Sequence, residues 1–71
     1  MNLLDANTLV EYKIKDIEIE DEELQGFLFS LGCYSGEPIT VIRRMRSGCV
    51  ISLKDARYHI DFNLASAIKI G

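Results

Sequence analysis

The sequence holds two thiols and one imidazole, Cys33, Cys49 and His59, and these set the limits of its covalent and metal chemistry. A Cys–His pair can activate a thiolate for nucleophilic attack, and thiolate with imidazole is the donor set that zinc and its neighbours favour. The spacing supports neither use. There is no Cys-x-x-Cys or His-x-x-x-His run, no glycine-rich phosphate loop, no Gly-x-Ser-x-Gly elbow and no metalloprotease helix. Free cysteine is among the most buried residue types, so burial is the expectation for Cys33. His59 and Asp61, two apart on one strand, share a side at roughly 6–7 Å. They predict a His–Asp salt bridge, with a weakly held transition metal ion as the lesser alternative. The reading is of no enzyme, no metal site and no resident cofactor.

Recognition chemistry is better represented. Arg43, Arg44 and Arg46 crowd one hairpin and offer planar, forked donors to carboxylates. Met45 among them is an adaptable apolar contact, and Tyr34 near a turn is an amphipathic one. Phe29 lies off the apolar stripe of its helix, and an exposed aromatic often marks a contact. These six residues, Phe29, Tyr34, Arg43, Arg44, Met45 and Arg46, predict a protein-binding surface made by the hairpin face and the helix–turn junction.

The charge is uneven. Asp16, Glu18, Glu20, Asp21, Glu22 and Glu23 form an acidic stretch, while Arg43, Arg44, Arg46, Lys54 and Arg57 follow later. The net charge of −3 argues against nucleic acid, whose phosphates bind basic surfaces. No interleaved aromatics accompany the arginines. Two cysteines make at most one disulfide, there is no basic leader followed by an apolar core, and no apolar run approaches the roughly 18 residues of a membrane span. The expectation is a reduced cytoplasmic protein without direct membrane insertion.

The elements that must position these residues fit one domain over residues 1–71. A chain this short buries only roughly 60% of its unfolded surface, but 48% hydrophobic residues can still build a thin core. Val10-Glu11-Tyr12-Lys13-Ile14 alternates as a strand, and Ile17 and Ile19 continue on the opposite parity, which predicts a bulge near Lys15-Asp16. Asp21 caps a helix with Glu22 and Glu23 in its first turn. Leu24, Phe27, Leu28 and Leu31 form its stripe, expected to pack on a sheet, and Gly32 ends it. Strands follow at Ile39–Arg44 and Val50–Lys54, with a hairpin tip at Ser47-Gly48 and a tight turn at Asp55-Ala56. Arg57 to Phe62 alternates with Tyr58, Ile60 and Phe62 on one face. Asn63–Ser66 reads as a turn or single helical turn, and Ala67–Ile70 as a closing strand. The fold class is mainly β with one short α-helix, a small closed barrel of about five strands. An open α+β sheet is the runner-up. Exposed edge strands would let a small barrel pair into a homo-oligomer.

The run from Leu24 to Val41, with its helix ending in Leu31-Gly32 and then Gly36 and a β-branched strand, resembles the FeoA signature. Gly48 at the hairpin, Tyr58-His59-Ile60, and Ala65-Ser66-Ala67-Ile68-Lys69-Ile70 continue the resemblance, which spans roughly Val10 to Ile70. It implies an SH3-like barrel and a role in bacterial ferrous iron uptake. The implied partner is the cytoplasmic GTP-binding domain of the FeoB transporter. The alternative it implies is a metal-responsive interaction domain like the C-terminal module of diphtheria-toxin-type repressors. The chain departs from the pattern at Cys33 (usually Leu, Ile or Met), at Ser35 and Cys49 (usually Pro), and at Asp61 and Phe62 (often Arg).

Overall fold

A computed structural model describes residues 1–71. Strand β1 (Glu11–Ile17) turns Ile14 and then Ile17 into the core. Its pairing with β5 (Ile68–Ile70) shifts register between Ile14 and Asp16. The extra residue flips the alternation. The phase change in the sequence is this bulge.

Helix α1 (Glu22–Leu31) begins where Asp21 Oδ1 accepts from the Glu23 and Leu24 amides at 2.9 and 3.3 Å. It ends at Gly32, left-handed at φ 100°, whose N–H donates to the Leu28 and Phe29 carbonyls. A side chain at Gly32 would meet Lys54 Cδ at 2.6 Å as well as adopting a strained backbone. The stripe behaves differently from expectation. Only Leu28 is buried, while Leu24 and Phe27 remain 37% and 45% exposed. The sheet fills its core largely with its own strands, and α1 contributes Leu28, with half-buried Leu31 packed against it.

Strands β2 (Pro38–Met45), β3 (Gly48–Leu53) and β4 (Ala56–Asp61) form the meander. Both turns fall one residue earlier than the sequence suggested, at Arg46–Ser47 and Lys54–Asp55. Gly48 belongs to the ladder, opposite Met45 on one side and Asp61 on the other. Any Cβ there would collide with the Ile60 carbonyl and stand 2.8 Å from Asp61 Cα. Lys54 and Asp55 carry φ of 49° and 64°, the paired positive values of a type I′ turn.

Asp61 then caps helix α2 (Phe62–Ala67), its Oδ1 accepting from the Leu64 amide at 2.8 Å. Phe62 therefore leaves the face of Tyr58 and Ile60 and is 41% exposed at the start of α2. The strand order is β4-β3-β2-β1-β5, antiparallel throughout. The result is mainly β with one principal helix, as expected. The ladder is not continuous around the barrel: β4 and β5 are its edges, and α2 spans the seam between them.

The first ten residues are part of the structure. A 3₁₀ turn at Leu3–Asp5 is closed by a reciprocal Asn2–Asp5 capping box, and Leu3 and Ala6 are buried in the core. Asn2 bridges to Lys69 beside β5.

Candidate functional site

Phe29 and Tyr34 are brought together. Their rings stack with centroids 5.9 Å apart and planes 28° from parallel, and both side chains stay exposed. The turn that carries Tyr34 is pinned to β1: Gly36 N–H donates to the Ile14 carbonyl at 2.6 Å and Ser35 Oγ to the Lys15 carbonyl at 2.9 Å. Lys54 Nζ lies 5.5 Å from the Tyr34 centroid and 3.3 Å from Glu37 Oε1. Tyr34 is thus an exposed aromatic on a fixed turn, with little rotamer freedom left to lose on binding.

The pair forms one wall of an open groove of about 290 Å³, with Ile17, Gln25, Asp16 and Ser35 completing it. An apolar side chain can enter against the rings while Asp16, Gln25 and Ser35 meet polar groups of the segment that bears it. The groove offers no activated nucleophile. Sequence reasoning did not single out Ile17, Asp16, Gln25 or Ser35 as site residues. Gln25 was within reach, because it stands one helical turn before Phe29 and therefore on the same side of α1.

The arginine hairpin is a separate feature. From Pro38 to Met45, β2 covers roughly 23 Å at strand rise, and the aromatic pair lies beyond its start while the arginines lie at its end. The hairpin face and the helix–turn junction do not merge into one patch. Arg44 is also engaged elsewhere: its Nη2 donates to the carbonyls of Leu3 (3.4 Å) and Ala6. Arg43, Met45 and Arg46 remain exposed.

The thiols and the imidazole do not converge. Cys33 and Cys49 are free and fully buried. Burial pushes the Cys33 thiol up to about 11 and raises that of Cys49, which nearby Arg44 partly offsets. High thiol pKa values oppose both metal ligation and nucleophilic attack. His59 faces outward, its Nε2 3.4 Å from Ser47 Oγ. The expected His59–Asp61 salt bridge is absent, because the Asp61 carboxylate is the cap of α2. No three His, Cys, Asp or Glu side chains gather into a metal-binding group. The residues present do not fit a resident metal. No helix is long and apolar enough to cross a membrane.

The fold, the groove and the glycine positions can now be set beside known proteins. The family model described as the FeoA domain matches residues 1–70. The chain belongs to the FeoA family. Its solved relatives are small SH3-like domains. Among solved structures, iron(II) transport protein A from Clostridium thermocellum superposes with a TM-score of 0.89 at 22% identity, over 99% of this chain and 44% of that one. This FeoA chain therefore spans less than half the length of that relative. A crystal structure of the iron uptake regulatory protein FeoA gives 0.85 at 21% identity, covering 99% and 93% of the two chains. FeoA from Stenotrophomonas maltophilia, described as a procaryotic SH3 domain protein and crystallised with zinc, gives 0.88 at 12% identity over 100% and 89%. At such identities the likeness establishes the SH3-like fold. None of the curated proteins compared matches the chain.

Proposed function

We propose that this FeoA chain is a non-catalytic accessory module of bacterial ferrous iron uptake that acts in the cytoplasm by docking on the GTP-binding domain of the FeoB transporter. The observation that carries this reading is the groove beside the stacked Phe29–Tyr34 pair, an exposed aromatic site on a pinned turn. Buried, preorganised aromatics are the residues on which binding energy concentrates. On this reading the domain's contribution to transport rests on what it binds.

Calorimetric titration against a FeoB cytoplasmic domain from the same genome, with and without guanine nucleotide, tests the reading. Binding is expected, and Phe29→Ala or Tyr34→Ala should weaken it by about tenfold or more, corresponding to ~1.4 kcal/mol. No binding of the wild-type chain at high micromolar concentration rejects this function. The zinc in the Stenotrophomonas maltophilia relative favours a second reading, a metal-responsive interaction domain. That reading requires stoichiometric ferrous or zinc binding with a rise in thermal stability. The separation of Cys33, Cys49 and His59 places it second.

A further inference from the structure

Two exposed apolar spots outside the groove are flanked by charge of opposite sign. The first is the far shoulder of α1. With Leu28 turned into the core, helical geometry sets Phe29 roughly 100° to one side, toward the groove, and Phe27 roughly 100° to the other. Leu24 and Phe27 share that second side, 37% and 45% exposed. Glu23 stands one turn before Phe27, and Glu20 precedes the helix cap on the same approach, while Glu22 falls on the Phe29 side. Neither Glu20 nor Glu23 takes part in either of the molecule's salt bridges, Lys54–Glu37 and Lys69–Glu18.

The second spot is the β2–β3 hairpin. Arg43 and Met45 alternate onto one face, and Arg46 sits in the turn. Met45 is 40% exposed, and neither Arg43 nor Arg46 has a carboxylate partner within the chain.

We infer that FeoA chains of this kind associate head to tail, the hairpin of one copy on the α1 shoulder of the next. Met45 lies against Leu24 and Phe27, while Arg43 and Arg46 face Glu20 and Glu23. A second copy is the occupant because the one chain carries both complementary halves, each left unsatisfied by its own fold. Since the two patches differ, the contact is not two-fold symmetric. Every copy added leaves a free hairpin at one end and a free shoulder at the other, so assembly continues past the dimer. A patch of so few side chains falls below the ~1,200 Å² of a standard interface, and the association is correspondingly weak. Charge across it makes it salt-dependent.

Sedimentation equilibrium of the full chain tests this. It is run over a concentration series reaching about 1 mM, first at ~10 mM salt, where charges act over about 30 Å, then at ~1 M, where the range is about 3 Å. At low salt the weight-average mass should climb above the 8.0 kDa of one chain and past twice that value, and it should fall back at high salt. A mass of 8.0 kDa at every concentration overturns the proposal. So does a mass that levels off at a dimer, or one indifferent to salt. Arg43→Glu with Arg46→Glu, and separately Glu20→Lys with Glu23→Lys, should each give a folded monomer by circular dichroism. Mixed one to one they should associate again, because both contacts then pair opposite charges; a mixture that stays monomeric rejects the arrangement.

Discussion

The guanidinium of Arg44 donates to the carbonyl of Ala6, joining the end of β2 to a segment 38 positions earlier in the chain. The same nitrogen reaches the Leu3 carbonyl at 3.4 Å, and Leu3 and Ala6 are both buried. A charged donor on buried acceptors is worth more than a neutral one. Arg44→Met should therefore destabilise the chain by about 1.5–3 kcal/mol in urea unfolding, and Arg44→Lys should recover only part of it, because a single ammonium lacks the planar fork. An unchanged midpoint in Arg44→Met would mean that the N-terminal segment is held by its apolar contacts alone.

Cys33 gives a pH signature. Its folded-state pKa of about 11 lies above the ordinary thiol value of 9.0. The unfolded chain loses this proton first, so stability is complete below about pH 9 and declines as pH rises toward 11. The loss attributable to Cys33 should reach roughly 2–3 kcal/mol at pH 11. Denaturant unfolding of the wild type and of Cys33→Val across pH 8–11 isolates it: the wild type should lose the more. Parallel curves for the two proteins would exclude the thiol as the source.

Gly48 is fixed by its neighbours. A methyl group there meets the backbone at Ile60 and Asp61, which cannot move without disturbing the β3–β4 ladder. Gly48→Ala should cost at least about 2 kcal/mol, by the strain that overpacking imposes. Thermal melting reads it directly, and a melting temperature within error of wild type would show that the ladder yields at this point.

At the β3–β4 turn the expected change is a gain. Asp55 holds a φ of 64° in a turn whose second position favours glycine. Asp55→Gly should stabilise the chain by about 0.5 kcal/mol, strain relief being partly offset by the greater freedom of glycine in the unfolded chain. A loss in its place would show that the Asp55 side chain contributes more than its backbone costs.

Local rules made much of the fold legible. Asp21 as cap, Gly32 as helix end and the phase change at Lys15–Asp16 are each set by a few adjacent residues, and each stands where the sequence put it. The turns slipped by one residue because the pairing of Gly48 with two strands, a tertiary fact, decides where the hairpin tip falls. The helical stripe was visible, but periodicity says which side of a helix is apolar and not what covers it, so the exposure of Leu24 and Phe27 was hidden. The site was half legible. Phe29 and Tyr34 were named as contacts, but their stacking depends on the pinned turn, and Arg44 was grouped with its hairpin neighbours because no local pattern links it to Ala6.

The pairing of β1 with both β2 and β5 governs when this domain can finish folding. The half of β1 that ends at Ile17 finds its strand partner only in Ile68–Ile70, and Met1 accepts a hydrogen bond from the Ile70 amide. On a ribosome the meander from Pro38 to Asp61 can emerge and pair as one local unit. The earlier strand must still wait, apolar side chains exposed, for a stretch made later. A stall in synthesis before Ile68 therefore leaves Leu3, Ile14 and Ile17 without the strand that covers them, a nascent chain presenting the kind of surface that chaperones hold.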